Sequence, residues 1–269
     1  MTGFQSILLG ILQGLTEFIP VSSTAHLLIA QKLLGIPGGN AMFSFLVIIQ
    51  LGTLLSLMVF FWKDILHLIK AFFARPFSTQ ENKLGWYIII ATIPALLAGY
   101  LLKSFVETIF NKPLLEAAIR LLITAVILVL AEGLVKRNRS IEKMNWLDAL
   151  IIGIAQVIAI FPGASRSGTT ISAGMARGLD RPAAAHFAFL MSIPVMLAAG
   201  GYQSLDLIKM SGIGAFLTTL VVGFVVAAVV GWLTVKWLLG YLSKHSLNLF
   251  ALYCAVVGAV SLIIYLLFP

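Results

Sequence analysis

The chain has 269 residues, of which 60% are hydrophobic and only 10% are charged, and its mean hydropathy is +1.04. Soluble domains carry about 25% charged residues, so this composition excludes an ordinary soluble protein and indicates several membrane-spanning helices. The net charge of +8 does not indicate a nucleic-acid partner, because the basic residues lie in short connections between apolar segments.

The first half of the chain begins with an apolar stretch, residues 4–34, that polar residues and a proline interrupt near its middle. Pro20 cannot continue a helix, so we expect two half-helices that form a re-entrant hairpin. Three uninterrupted apolar segments follow at 41–62, 86–102 and 114–134, and each is long enough to span a bilayer.

The second half has the same order of elements. A broken apolar stretch at 147–180 predicts another re-entrant hairpin, and spanning segments follow at 183–203, 213–238 and 248–267. We therefore predict an all-α polytopic membrane protein with a single membrane domain, 1–269, built from two repeats at 1–134 and 147–269.

Basic residues set the predicted orientation under the positive-inside rule. They cluster in 63–85, in 135–146 and around the last connection, as Lys63, Lys70, Arg75, Lys83, Lys136, Arg137, Arg139, Lys143, Lys236, Lys244 and His245. These connections are expected in the cytoplasm and the loops 103–113 and 204–212 outside. Both termini are then outside, and the two hairpins enter from opposite faces.

An internal similarity supports an inverted repeat. The segment GILQGLTEFIPVSS at 10–23 resembles GIAQVIAIFPGAS at 153–165, and AMFSFLVII at 41–49 resembles AHFAFLMSI at 185–193. Because three spanning helices separate the hairpins, the two halves have opposite orientations. Such inverted repeats with broken helices place a polar site where the halves meet.

The second hairpin carries the motif FPGASRSGTT at 161–170. Pro162 and Gly163 end the first half-helix, and Ser165 is placed to cap the second. Free backbone N–H groups at that helix start, with hydroxyls and a guanidinium, predict an anion site that suits phosphate, formed by Ser165, Arg166, Ser167 and Thr170. The alternative is a polar kink whose arginine reaches the membrane interface.

The first hairpin supplies groups that can perform chemistry. A hydroxyl, a histidine and a carboxylate, here Ser23, His26 and Glu17, can provide a nucleophile, a base and an orienting group. We expect Ser22 to cap the second half-helix. The alternative is that Ser22 and Thr24 only cap the half-helix, while Glu17 and Arg166 form a structural ion pair.

A carboxylate beside a bound phosphate also suggests a divalent cation between the two anions. Glu17 is the candidate ligand, and Gln13, four residues earlier on the same helical face, is the second.

These two motifs, QGLTEFIPVSSTAH and PGASRSGTT, resemble the signature segments of the undecaprenyl-diphosphatases, which are also called bacitracin-resistance proteins. Both match without gaps, and the similarity in length and helix pattern covers the whole chain. Some members of that family carry a glutamate where this chain has Gln13, so this chain has one carboxylate fewer for a metal.

The resemblance implies hydrolysis of undecaprenyl diphosphate to undecaprenyl phosphate and inorganic phosphate, with Mg²⁺ or Ca²⁺ as cofactor. This reaction regenerates the lipid carrier for peptidoglycan and other envelope polymers and gives bacitracin resistance. The resemblance places the protein in the bacterial cytoplasmic membrane, with its site open to the outer face. The expected partners are the polyprenyl diphosphate and the bilayer, and a homodimer is left open.

Three nucleophiles remain open from the sequence: Ser23, His26 attacking phosphorus directly, or a metal-activated water. A rival function is a polyprenyl-phosphate transporter, because inverted repeats with re-entrant hairpins are also a transporter architecture. A pure carrier needs no nucleophile, so the Ser23, His26 and Glu17 set favours an enzyme. An ion channel fits least, because these groups suit tight oxyanion binding.

Overall fold

A computed structural model describes residues 1–73, 78–102, 112–133, 138–159, 164–208 and 213–267. Arg75, Lys136, Arg137, Pro162 and Gly163, which the sequence analysis singled out, lie outside these residues. Within the described ranges the chain forms eleven α-helices and one 3₁₀ helix, so the predicted all-α fold is confirmed.

The helices are numbered in chain order. They are α1 Gly3–Thr16, α2 Ser23–Leu33, α3 Asn40–Phe60, α4 Trp62–Phe72, α5 Gln80–Leu101, α6 Pro113–Gly133, the 3₁₀ helix Ile141–Lys143, α7 Trp146–Ile158, α8 Arg166–Ala176, α9 Arg181–Ile208, α10 Ile213–Leu242 and α11 Asn248–Leu267.

Six of the described helices, α3, α5, α6, α9, α10 and α11, are long and apolar enough to cross a membrane. The protein is therefore a multi-pass membrane protein. By contrast, α1 has 14 residues and α2 has 11, so they extend only about 21 and 17 Å, less than the roughly 30 Å of a bilayer core. The pair α7 and α8 is as short, with 13 and 11 residues.

The region 63–85 was expected as a loop, and this expectation was wrong; its cytoplasmic side stays a prediction. It contains α4, and α5 begins at Gln80, where the Thr79 hydroxyl caps the helix by accepting the Asn82 N–H at 3.1 Å. Charged residues such as Lys63 and Lys70 made this segment resemble a polar connection, although its apolar residues lie on one face of α4. Its apolar face lines an open apolar groove of about 300 Å³ together with α5 and α9.

Each hairpin packs on a helix of the other half. In the first half α1 contacts α10, and in the second half α7 contacts α5. Glycines permit the close approach: a Cβ at Gly14 would lie 2.7 Å from Val230 Cβ, and one at Gly153 would lie 2.4 Å from the Ala91 carbonyl oxygen. Small residues at helix contacts serve this purpose in membranes. The paired contacts match an inverted repeat, which stays a prediction.

The helix ends opposite the hairpin tips carry ion pairs in which the carboxylate is buried and the arginine is partly exposed. Asp148, at the start of α7, is fully buried and accepts hydrogen bonds from Arg139 at 2.6 Å and Arg177 at 2.8 Å. Arg181, at the start of α9, forms a 2.7 Å ion pair with Glu132 near the end of α6. These ion pairs join the starts of α7 and α9 to neighbouring segments. The polar tips of the two hairpins lie away from them and contact each other inside the helix bundle.

Candidate active site

A polar pocket of about 320 Å³ lies where the two hairpins meet. Its walls come from the turn between α1 and α2, the start of α8, the first half of α6, the start of α3 and the end of α9. Its polar and charged lining includes Gln13, Glu17, Ser22, Ser23, Arg120, Ser165, Arg166 and Gln203.

Glu17 connects the two hairpins. Its Oε1 receives a hydrogen bond from the Arg166 guanidinium at 2.5 Å, and its Oε2 receives one from the Ser23 hydroxyl at 2.6 Å and one from the Gln13 amide at 3.0 Å. The residue is only 8% exposed. A buried carboxylate needs such donors, and four predicted site residues are thereby brought into one network.

The chain enters α2 through an unusual backbone conformation at Ser22, whose φ is +66°. A residue with a side chain pays about 1–3 kcal/mol for such a conformation, which often marks a functional turn. Ser22 occupies the N-cap position but makes no capping hydrogen bond through its side chain, so the expected cap was wrong. Its conformation instead turns the chain so that both Ser22 and Ser23 line the pocket.

His26 does not line the pocket. Its Nδ1 lies 2.8 Å from the Ser22 carbonyl oxygen, and its Nε2 lies 2.8 Å from the Tyr253 hydroxyl. Because a carbonyl only accepts, Nδ1 carries a proton, and in the neutral ring Nε2 accepts from Tyr253. The structure therefore pairs Ser23 with Glu17, and not with His26.

The anion-site residues divide into two groups. Ser165 caps α8 as predicted, since its hydroxyl accepts the Gly168 N–H at 3.2 Å, and Ser165 and Arg166 line the pocket. Ser167 and Thr170 lie behind it: the Ser167 hydroxyl is 3.1 Å from that of Ser165, and the Thr170 hydroxyl donates to the Arg166 carbonyl oxygen at 2.9 Å. These two residues support the helix start rather than face the pocket.

Arg120 was not singled out from the sequence. It lies within the spanning helix α6, is 7% exposed and lines the same pocket as Glu17 and Arg166. Its position in the middle of the apolar run 114–134 was the available signal, because charges inside spanning helices usually serve function.

The pocket has oxygen ligands that suit a hard divalent cation. Glu17 offers a carboxylate, and Oε1 of Gln13 is buried without a hydrogen-bond partner. Mg²⁺ commonly takes one or two protein oxygens together with substrate phosphates, and this donor set fits that pattern. Over the described ranges no cluster of three or more histidine, cysteine or acidic residues exists.

The chain is similar over nearly its whole length to one family model and to several curated proteins. The family model described as Bacitracin resistance protein BacA matches residues 6–260. A protein of Caldicellulosiruptor bescii named undecaprenyl-diphosphatase is 44% identical over 99% of both chains. Relatives with the same name from Chloroherpeton thalassium, 42% identical over 94% of this chain and 93% of its own, and Anaeromyxobacter dehalogenans, 43% identical over 96% and 90%, are similar.

These relatives span nearly the whole length of the chain, and their names give no support to the transporter alternative. The matched range includes all but the first residues of α1, the whole second hairpin and every residue of the pocket. The chain belongs to the BacA family of bacitracin resistance proteins.

Proposed function

We propose that this chain is a membrane phosphatase that hydrolyses undecaprenyl diphosphate to undecaprenyl phosphate and inorganic phosphate. The observation that carries the proposal is the Ser23–Glu17–Arg166 network inside one polar pocket between the hairpins. It places a hydroxyl, a carboxylate and a guanidinium within hydrogen-bond reach of each other, in a family whose relatives bear the name of that activity. The product would re-enter envelope polymer synthesis as the lipid carrier.

Arg166 and the amino end of α8 would hold a phosphate. The guanidinium has five N–H donors, so it can keep its bond to Glu17 and still bind phosphate oxygens. The helix start adds backbone N–H groups and the positive end of the helix dipole. Ser167 and Thr170 would act indirectly, by fixing that helix start.

Ser23 is the nucleophile that the geometry favours. Its oxygen would form a bond to the terminal phosphorus while Glu17, 2.6 Å away, accepts the hydroxyl proton. The bond from that phosphorus to the bridging oxygen breaks, and undecaprenyl phosphate leaves with the electron pair. Water then cleaves the phosphoserine and releases inorganic phosphate.

His26 would position the nucleophile rather than exchange protons with it. Its Nδ1–H bond to the Ser22 carbonyl supports the positive φ of Ser22, which presents Ser23 to the pocket.

A Mg²⁺ or Ca²⁺ ion held by Glu17 and the Gln13 carbonyl oxygen would neutralise phosphate charge and make the phosphorus more electrophilic.

The pocket would open at the outer face of the bacterial cytoplasmic membrane, with both termini outside. Its lining includes Phe43 at the start of α3 and Gln203 near the end of α9. The basic cluster of Arg139 and Arg177 lies close in the chain to the start of α9, at the other end of that helix. The positive-inside rule places that cluster in the cytoplasm. The C55 tail would remain in the lipid, and a homodimer remains a prediction.

Phosphate release from undecaprenyl diphosphate by the purified protein, with Mg²⁺ or Ca²⁺ supplied, tests the proposal. The matched control is Glu17→Gln, which keeps the size of the side chain and removes its charge. We expect steady release by the wild-type protein and a loss of about 10²-fold or more in the variant. Intact substrate after long incubation with folded wild-type protein would contradict the proposal.

A further inference from the structure

Arg120 is a second cationic residue in the pocket, and the proposed hydrolysis does not yet use it. It lies seven residues after Pro113, about 10 Å along α6, inside a helix that crosses the membrane. A charge at that position is costly unless a polar protein partner, a ligand or an aqueous cavity stabilises it. Arg120 is 7% exposed, and the space that it lines is the polar pocket itself.

Thr124 fixes the position of Arg120 relative to the anion site. The Thr124 hydroxyl donates to the Arg120 carbonyl oxygen at 2.6 Å and accepts the backbone N–H of Ser165 at 3.0 Å. A Cβ added at Gly168 would meet the Thr124 methyl group at 3.2 Å, so α6 and α8 are closely packed here. One hydroxyl therefore joins the backbone of Arg120 to the residue that precedes Arg166.

The charges of the pocket lining indicate the kind of ligand. Among its described residues the formal charges are those of Glu17, Arg120 and Arg166. Glu17 and Arg166 pair with each other, and the formal charges of these three lining residues sum to +1. One guanidinium cannot neutralise the negative charge of a diphosphate ester. The ester has two phosphate groups, and each could accept paired hydrogen bonds from one of the two guanidinium groups.

We infer that Arg120 is a second phosphate-binding residue, which holds the phosphate of the diphosphate that Arg166 does not hold. The inference rests on the proposed function and goes beyond it, because it makes Arg120 a determinant of diphosphate over monophosphate recognition. With both arginines present, a diphosphate is held at two points and a monophosphate at one. The product monophosphate would then leave more readily than the substrate.

Equilibrium binding of two probes tests this inference without requiring turnover. The probes are a methylene-bisphosphonate analogue of a polyprenyl diphosphate, which cannot be hydrolysed, and the polyprenyl monophosphate with the same tail. We expect Arg120→Gln to weaken bisphosphonate binding roughly 10- to 100-fold and monophosphate binding by less than about threefold. Arg120→Lys, which keeps the charge without the fork, should lie between the two.

Two variants separate recognition from structure. Glu116 lies one turn before Arg120, so Glu116→Gln tests whether Arg120 acts only through that neighbour. Lys112→Gln removes a cation whose ammonium group lies 3.0 Å from the Tyr265 hydroxyl, away from the pocket lining. Neither change should alter the ratio of the two affinities. If Arg120→Gln does not fold, the ratio of the two affinities is measured on Arg120→Lys instead.

An equal loss for both probes, or an unchanged ratio in Arg120→Gln, would overturn the inference. If wild-type protein hydrolyses the diphosphate while the ratio stays unchanged, only the inference fails. If wild-type protein releases no phosphate and binds the bisphosphonate no tighter than the monophosphate, the proposed function fails and the inference with it.

Discussion

The hydroxyl of Ser23 donates a 2.6 Å hydrogen bond to Oε2 of Glu17, across the turn that joins α1 to α2. Ser23→Ala removes the proposed nucleophile and leaves the carboxylate with its other donors. We expect kcat for phosphate release to fall by about 10²–10⁴-fold, with substrate affinity nearly unchanged because Arg166 is intact. Initial rates over a substrate titration measure both quantities, and a kcat within threefold of wild type would remove Ser23 as nucleophile.

Arg166 pairs with Glu17 and lines the pocket, so its shape as well as its charge should matter. Arg166→Ala should lower kcat/KM by about 10²–10³-fold, since a donor to the developing phosphate charge is lost. Arg166→Lys should recover only part of this, because an ammonium group cannot bind carboxylate and phosphate through a planar fork. Equal activity of the lysine variant and the wild-type protein would show that charge alone is required.

The contact between His26 and Tyr253 predicts non-additive effects. Tyr253→Phe removes the hydroxyl that holds His26 Nε2 at 2.8 Å and keeps the ring. If His26 positions the Ser22 turn, Tyr253→Phe should slow turnover several-fold in the wild-type background and have almost no effect in His26→Ala. A double-mutant cycle on kcat makes the comparison, and independent, additive losses would show that the two residues act separately.

Gln13 provides a test of cation binding. Gln13→Glu would place a second carboxylate beside Glu17, where the amide now donates at 3.0 Å. Without a cation the two carboxylates repel each other, so we expect a lower unfolding temperature in chelator and a larger increase on addition of Mg²⁺ or Ca²⁺ than in the wild-type protein. Gln13→Met, which adds no charge, is the control. A cation response identical in all three proteins would exclude Gln13 from the metal site.

Gly153 tests the contact of the second hairpin with α5. A Cβ there would lie 2.4 Å from the Ala91 carbonyl oxygen, which is backbone and cannot move independently of its helix. Gly153→Ala should therefore lower the free energy of unfolding by about 1–3 kcal/mol. Gly99→Ala, on α5 with no atom within 4 Å of the added carbon, should be neutral or stabilising. Thermal unfolding in detergent compares them, and equal midpoints would contradict the packing.

The spanning helices were predictable because their signal is local. An apolar run such as 248–267 must satisfy its backbone hydrogen bonds internally in lipid, and the structure has a helix at Asn248–Leu267. The break in the first hairpin was equally visible, since Pro20 and the polar residues around it interrupt an apolar stretch. The anion site followed from the same local chemistry, because a cap such as Ser165 and the arginine after it are adjacent in the chain.

Side-chain partners at the hairpin tip were not predictable. Ser23, His26 and Glu17 were grouped from the sequence, but the sequence does not indicate that Ser23 bonds to Glu17 while His26 turns toward the distant Tyr253. The direction of a side chain at a hairpin tip depends on one backbone angle, the φ of Ser22, which residue type does not dictate. Arg120 was overlooked because its pocket is built mainly by other parts of the chain.

The contact between α1 and α10 has a consequence for biosynthesis. The Ser6 hydroxyl bonds to the Thr219 carbonyl oxygen, 213 positions later in the chain. At ribosomal rates of about 5–20 residues per second, the leading hairpin waits roughly 10–40 s for this partner to emerge. A nascent chain interrupted before α10 would leave the Ser6 hydroxyl and the facing side of α1 without that partner.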